Sequence, residues 1–164
     1  MEYKVTMPYI GGILSDNNYK IGKTKKKTRP IVVLWMNELS DKVSKLEIPQ
    51  AGNYGISLWG KFWDERRPDL ANLHKVIGDA LQKGLAVNDK TFFFVDKGYE
   101  LGIFEMELEI TIRPITEESI AQAIRDKTYV GVETGRIVSE FLNILEVSKD
   151  NPDWTTERTG RVSE

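Results

Sequence analysis

The sequence contains no cysteine and a single histidine, and these two shortages narrow its chemistry at once. The absence of cysteine excludes disulfides and zinc sites with thiolate ligands, and a single histidine excludes a histidine-rich metal site. Any bound metal ion must therefore rely on oxygen ligands. No run approaches the roughly 18 apolar residues that a membrane span requires, and the amino-terminal residues lack a signal-peptide pattern. We expect a cytoplasmic protein with no membrane partner.

Positive charge is concentrated in one part of this 164-residue chain, although its net charge is only −2. Residues 19–30 contain six basic residues and no acidic one: Lys20, Lys23, Lys25, Lys26, Lys27 and Arg29. The segment lacks apolar periodicity, which predicts an exposed loop or ribbon. Such loops often serve only solubility, but the adjoining Asn17, Asn18 and Tyr19 favour contact with phosphate groups.

The hydrophobic patterns predict an α+β fold, with a small mixed or antiparallel sheet of about four strands covered by helices. The expected strands are residues 2–7, 54–63, 91–96 and 104–113, the last two paired antiparallel through a hairpin at 97–100. One helix is expected at 30–45, and another from Asp69 to a stop at Gly84. We predict a domain at 1–115, a C-terminal helical extension of the same globule at 116–148, and a mobile tail at 149–164. The extension shows helical patterns at 116–129 and 134–147.

The stretch from Asp64 to Asp89 holds most of the candidate chemistry. Pro68-Asp69 is typical of a helix start, where the carboxylate accepts hydrogen bonds from backbone amides of the first turn. Apolar residues then follow at helical spacing, and Asp89 comes after a glycine-bounded turn. Periodicity alone favours a capped amphipathic helix in which Asp69 is the cap and Asp89 a turn residue.

RRPDLANLHKVIGDALQKG, followed by VND and a strand, resembles the signature of the RusA-type Holliday-junction resolvases. That signature reads approximately R-x-D-x-D-N-x-x-K, then D-A-L, a glycine turn and a D-D or N-D pair. Residues 15–19 also resemble the family's S-x-N-x-Y-Y segment, so the resemblance covers about residues 1–113. It implies a Mg²⁺-dependent endodeoxyribonuclease of DNA recombination and repair. It also implies a homodimer on four-way junction DNA, with active sites near the dimer interface.

Carried over to this sequence, the resemblance implies catalytic roles for Asp69, Lys75 and Asp89, with Asp69 and Asp89 as Mg²⁺ ligands. The DNA-binding residues expected from the resemblance and the charge pattern are Asn18, Tyr19, Lys20, Lys23, Lys25, Lys26, Lys27, Arg29, Arg66 and Arg67. Asn72 matches the signature's asparagine. The sequence departs from the signature at Ala71, where the second aspartate is missing. Alanine cannot replace an oxygen ligand, so we expect cleavage to be severely reduced. Two explanations for Ala71 stay open: a natural, weakened variant, or a deliberate change from aspartate that traps an inactive form.

Two other interpretations remain open at this point. The chain could be a non-cleaving junction-binding or general nucleic-acid-binding protein. It could also be an α+β interaction domain whose aspartates are caps and whose lysines are solvated.

Geometry raises a separate question about the two aspartates. A straight helix from Asp69 to Lys83 would span about 21 Å, which leaves Asp89 near the far end. A composite site across a dimer interface would reconcile the two positions, and a loop folded back at Asp69 is the alternative. Asp79 is interpreted as a surface or helix contact, and His74 as a packing residue or phosphate contact. The aromatic residues of 54–63 are interpreted as sheet core, with base stacking as the alternative.

Overall fold

The computed structural model describes residues 1–126, the last four as backbone only, and the chain divides into two units, Met1–Ile115 and Thr116–Glu164. The first unit contains six strands and two α-helices. In chain order these are Tyr3–Pro8 (β1), Lys20–Ile21 (β2), Lys27–Thr28 (β3), Pro30–Lys45 (α1), Asn53–Lys61 (β4), His74–Leu85 (α2), Phe92–Glu100 (β5) and Glu107–Ile115 (β6). Short 3₁₀ turns lie at Gly12–Leu14, Leu70–Leu73 and Asp89–Thr91.

The main sheet has four strands in the order β1, β6, β4, β5, which confirms the predicted α+β class. β6 pairs antiparallel with both β1 and β4, whereas β4 and β5 are parallel. The predicted antiparallel hairpin between the last two strands is therefore wrong, because β4 lies between them. The physical reason is the α2 crossover, which returns the chain to the starting edge of the sheet and makes β5 a parallel neighbour of β4.

Alternation along the strands places the core on one face of the sheet. Val5 and Met7 of β1 and Leu108, Ile110 and Ile112 of β6 are buried, as are Ile56 and Leu58 of β4. The core continues into buried residues of α1 and α2, which contact each other along their lengths. The predicted one-sided burial of the last strand is confirmed.

Gly84 has a different role from the predicted helix stop, since α2 continues to Leu85. A Cβ on Gly84 would lie 2.9 Å from the backbone oxygen of Ser40 in α1. Glycine at this position therefore allows the two helices to approach closely. The helix ends at Ala86, which adopts the left-handed conformation with φ 55°.

The basic segment forms a two-stranded antiparallel ribbon of β2 and β3, in agreement with the predicted loop or ribbon. Its base is closed by a hydrogen bond that the Arg29 amide donates to the Tyr19 carbonyl, at 2.9 Å. The chain then enters α1 at Pro30, the position predicted from the sequence. We call residues 20–29 the basic ribbon.

The second unit is described as far as one helix, Glu117–Asp126 (α3). Its start is capped reciprocally: the Thr116 amide donates to Ser119 Oγ at 2.8 Å, and the Ser119 amide donates to Thr116 Oγ1 at 3.0 Å. The predicted continuation to residue 129, the helix at 134–147 and the tail at 149–164 lie outside the described residues.

Candidate active site

The approach to α2 differs from the predicted straight helix that begins at Asp69. Residues 70–73 form a 3₁₀ turn, and the α-helix begins at His74. In a 3₁₀ turn residues three apart lie above one another, which lets Leu70 and Leu73 be buried together. Asp69 caps the turn, accepting a hydrogen bond from the Ala71 amide at 3.1 Å. Asp69 and Ala71 are both exposed.

Asp16 was not among the predicted site residues, yet it reaches the start of α2. Its Oδ1 accepts a hydrogen bond from the Lys75 amide at 3.2 Å, and its own amide donates to the Asn72 carbonyl at 2.7 Å. The partners are more than 50 positions apart in the chain, so no local pattern could reveal the contact. The only signal was the position of Asp16 within the family-like segment 15–19.

The Lys75 ammonium group lies between two carboxylates. One is Asp79, a turn further along α2, and the other is Asp89, in the 3₁₀ turn that follows α2. Its Nζ is 3.1 Å from Asp79 Oδ1 and 3.7 Å from Asp89 Oδ2. The hydrogen bond and charge of Asp79, with a smaller contribution from Asp89, raise the pKa of Lys75 above its ordinary value. The ammonium group is therefore protonated at neutral pH.

Asp79 is fixed from its other side by Tyr19, which is 2% exposed. The Tyr19 hydroxyl donates to Asp79 Oδ2 at 3.0 Å. Burial, followed by the hydrogen bond to Asp79, raises the pKa of Tyr19 well above its ordinary value. Tyr19, Asp79, Lys75 and Asp89 thus form a connected set, which we call the Lys75 network. Its member Asp79 is more than the surface or helix contact suggested by the sequence.

The structure also corrects the expectation that Asp89 stays near the far end of the helix. After Leu85 the chain reverses, with the Val87 amide donating to the Gln82 carbonyl at 3.2 Å. This bond and the left-handed Ala86 form a Schellman-type C-cap. The reversal directs the chain back along α2, where Asp89 contacts Lys75 of the same chain. A neighbouring subunit is not needed to bring Asp89 to the start of α2.

The residues predicted to bind DNA fall into three groups. Lys20, Lys23, Lys25, Lys26 and Lys27 are exposed on the basic ribbon. Asn18 and Arg29 lie at its base, where Arg29 Nε donates to the Asn18 carbonyl at 2.6 Å, and the buried Tyr19 is turned toward Asp79 instead.

The third group lies outside the ribbon, at the end of β4. Arg66 is exposed and forms an ion pair with Asp64 at 2.6 Å. The Arg67 guanidinium stacks 3.6 Å above the Tyr99 ring.

His74 has a carboxylate partner that the sequence did not suggest. Its Nε2 is 2.7 Å from Asp96 Oδ1, and its ring stacks on Phe94 with centroids 4.5 Å apart. The pair joins the first residue of α2 to β5. The sequence interpretation assumed that His74 has no titratable partner, and Asp96 is such a partner.

The acidic side chains of the site offer the type of ligand that a divalent metal ion prefers, but too few of them lie together. Carboxylate oxygens are the ligands that Mg²⁺ prefers, and Mg²⁺ often binds through one or two of them with water. Asp69 and Asp89 carry oxygens of this kind, and each has an oxygen outside the hydrogen bonds described above. Within residues 1–126, however, no group of three acidic or histidine side chains has metal-binding geometry. Ala71 is the position at which a third carboxylate would be expected.

A mixed sheet, a lysine among carboxylates and a neighbouring basic ribbon together define an α+β domain whose chemistry suits DNA phosphodiester cleavage. The family model for endodeoxyribonuclease RusA matches residues 15–113. Because this match covers more than half of the sequence, the chain belongs to the endodeoxyribonuclease RusA family. Members of this family act on DNA junctions and generally depend on divalent metal ions.

Other comparisons add little. No curated protein sequence matches the chain. Among solved structures, the periplasmic domain of Helicobacter pylori MotB (residues 97–256) matches with a TM-score of 0.39 and 14% identity, covering 78% of this chain and 93% of that one. That similarity is too low to bear on the fold or function. Within the described residues, no helix is long and apolar enough to cross a membrane.

Proposed function

We propose that this chain is a four-way-junction endodeoxyribonuclease that binds its substrate but cuts it poorly, because position 71 carries no metal ligand. The observation that carries the proposal is the Lys75 network inside the family-matched segment, with Ala71 four residues before Lys75. The family signature has an aspartate at position 71, and Ala71 lies on the exposed 3₁₀ turn that leads directly into the helix carrying Lys75. Ala71 leaves that position apolar.

The residues have distinct chemical roles in this proposal. Asp69 and Asp89 would hold Mg²⁺, which when bound supplies an activated water and neutralises charge on the phosphate. Protonated Lys75 stabilises negative charge on the leaving oxygen. Asp79, held by Tyr19, fixes the position of the Lys75 ammonium group. Asp16 orients the start of α2, on which Lys75 is carried.

The basic ribbon supplies the DNA contact. Its five exposed lysines project from a short two-stranded support that is anchored at Arg29 and Tyr19. Tyr19 also belongs to the Lys75 network, so the support of the DNA-binding lysines and the catalytic lysine share one buried side chain. Contacts of this kind neutralise phosphates and give binding that weakens strongly with salt.

We further propose a homodimer, because symmetric cleavage of a four-way junction requires two active sites. Each chain contributes a complete Lys75 network, since Asp89 reaches Lys75 within one subunit. Sedimentation equilibrium should give a mass near twice the 18.8 kDa of one chain. A monomer at micromolar concentration would contradict this part of the proposal.

The main test is to restore the carboxylate with Ala71→Asp and to assay a synthetic four-way junction with Mg²⁺. We expect the natural chain to bind the junction with little cleavage and Ala71→Asp to cut at least about 100-fold faster, which corresponds to roughly 2.7 kcal/mol of the activation barrier. Ala71→Asn is the matched control, because it adds a similar side chain without the charge, and it should remain slow.

Other outcomes distinguish the alternatives. Tight junction binding without cleavage by Ala71→Asp would favour a non-cleaving binding protein. Failure of both chains to bind the junction would favour an interaction domain with solvated lysines.

A further inference from the structure

The four aromatic residues of the stretch 54–63 differ in exposure: Trp59 is half-buried, and the other three lie at the two extremes. Tyr54 and Phe62 are each 1% exposed and belong to the core, as the sequence suggested. Trp63 is 52% exposed and meets the 82% exposed Phe104 edge to face, with ring centroids 5.9 Å apart. Two large aromatic side chains exposed side by side mark a binding surface more often than chance.

A cavity of about 330 Å³ adjoins Trp63. Tyr9, Phe62, Trp63 and Met106 supply its apolar walls, Gly11 and Gly12 form an open backbone edge, and Asp64, Arg66 and Arg67 supply its polar groups. The volume lies at the lower end of the range typical of small-molecule sites, about 300–1,000 Å³. It suits a single planar group.

The walls of the cavity are held in place by backbone hydrogen bonds. The Gly102 amide donates to the Trp63 carbonyl at 3.0 Å, and the Ile103 amide donates to the Phe62 carbonyl at 3.1 Å. Gly60 leaves room for the Phe62 ring, which a Cβ at that position would meet at 2.1 Å. The cavity is therefore formed before any ligand binds.

Arg67 provides hydrogen-bond donors in this lining. Its guanidinium rests on Tyr99, and Nη1 donates to the Pro68 carbonyl at 3.2 Å. Its Nε is buried and has no hydrogen-bond partner. Because that atom has no accessible surface, a ligand would meet the other N–H groups of the Arg67 guanidinium, which carries five donors in all.

We propose that this cavity receives one unpaired nucleobase of the DNA substrate. A base has flat faces that stack on tryptophan and edge atoms that accept a hydrogen bond from an N–H group. A phosphate suits the cavity less well, because its walls are mainly apolar and Asp64 already pairs with Arg66, which leaves Arg67 as the remaining cation of the lining. The inference rests on the proposed function, since a branch point is where a duplex substrate offers an unstacked base.

The position of the cavity supports this assignment. Arg67 is two residues before Asp69, so the cavity edge and the candidate metal ligand are at most about 7 Å apart along the backbone. A base held at Trp63 would therefore fix the phosphate that is presented to Asp69 and Lys75. The cavity would select which nucleotide of the branch point is placed for cleavage.

The experiment compares the junction affinities of two proteins on two DNA molecules, in the manner of a double-mutant cycle. Binding of the natural chain and of Trp63→Ala is measured on an intact four-way junction and on one with abasic sites at the branch point. Loss of stacking should weaken binding about 10-fold, so the natural chain should prefer the intact junction by that factor. Trp63→Ala should bind the intact junction about 10-fold more weakly and lose nothing further on the abasic junction.

Two further variants complete the test. Arg67→Lys keeps the charge but removes the planar guanidinium with its fork of N–H donors, and it should weaken binding to the intact junction alone. Leu34→Ala is the control, because Leu34 is a 68% exposed apolar residue on α1 and should leave the preference unchanged.

Equal binding of both junctions by the natural chain would overturn the inference while leaving the proposed function intact. A further loss by Trp63→Ala on the abasic junction would overturn it too. Failure of the natural chain to bind either junction would overturn the proposed function and the inference with it.

Discussion

Asp69 and Asp89, the two acidic residues assigned to the metal, are held in different ways. Asp89 contacts Lys75 in a network that joins α2, the following loop and the Tyr19 segment. Asp69 instead caps a short 3₁₀ turn and bonds only the local backbone, as far as the described contacts show. The side of the proposed site that is built from distant parts of the chain is held by several contacts, whereas the locally built side contains Ala71. Binding and cleavage should therefore be separable in this chain.

The largest effect is expected at Lys75, which belongs to the Asp89 side of the site. In the Ala71→Asp background, Lys75→Met should lower the cleavage rate about 100- to 1,000-fold, because a preorganised positive charge opposite the leaving oxygen is lost. Single-turnover cleavage of a four-way junction measures the rate. Lys83→Met is the control, since Lys83 contacts Asn37 on α1. Equal rates for Lys75→Met and Lys83→Met would remove Lys75 from the mechanism.

Changes in the basic ribbon should alter junction binding and leave the cleavage step unchanged. Replacing Lys25, Lys26 and Lys27 by alanine should flatten the salt dependence of junction binding by about 0.9 logarithmic units per lost phosphate contact. Affinities measured between 50 and 300 mM salt would give the slope. Lys45→Ala, at the distant end of α1, should leave it unchanged. If the triple variant retains the full slope, the ribbon is not the phosphate contact.

Tyr19 links the ribbon to the Lys75 network, and pH can reveal that link. Its raised pKa keeps the folded phenol neutral, whereas the unfolded chain ionises near pH 10. The contribution of Tyr19 is therefore fully present below about pH 10 and is lost as pH rises further. Tyr19→Phe should cost about 1 kcal/mol at pH 7 and show a shallower loss of stability above pH 10. Urea unfolding at several pH values tests this, and parallel curves would contradict it.

The smallest effect is expected at Asp69 in the natural chain. Removal of its capping hydrogen bond by Asp69→Ala should lower the free energy of unfolding by about 0.5–1 kcal/mol, with junction affinity nearly unchanged. In the Ala71→Asp background the same change should also abolish most of the restored cleavage. Thermal unfolding and the junction assay together provide the measurement. A large stability loss would mean that Asp69 has a structural role beyond the cap.

Features that depend on neighbouring residues were predictable from the sequence. Helix α1 begins and ends where proline and apolar spacing indicated, and the β6 residues alternate between core and surface. The family signature located Lys75 and Asp89 and drew attention to Ala71. Each of these inferences uses residues close together in the chain, where spacing determines geometry.

The remaining features depend on contacts between distant segments. Insertion of β4 between β5 and β6 follows from the α2 crossover, and no pairing signal in either strand specifies it. Asp16 and Tyr19 reach α2 across more than 50 residues. The 3₁₀ turn after Asp69 also escaped prediction, because Leu70 and Leu73 fit the apolar spacing of an α-helix equally well. Gly84 was interpreted as a helix stop because its close contact with Ser40 is visible only in the folded protein.

The central claim is that position 71 is a missing metal ligand, and metal binding tests it most directly. A binding measurement detects an incomplete ligand set independently of DNA binding and cleavage. Calorimetric titration with Mn²⁺, and with Mg²⁺ where heats allow, would compare the natural chain, Ala71→Asp, and Ala71→Asp combined with Asp89→Asn. We predict weak binding by the natural chain, one tightly bound ion per chain in Ala71→Asp, and a return to weak binding in the double variant. Equal, tight binding by the natural chain and Ala71→Asp would contradict the claim that position 71 is the missing ligand.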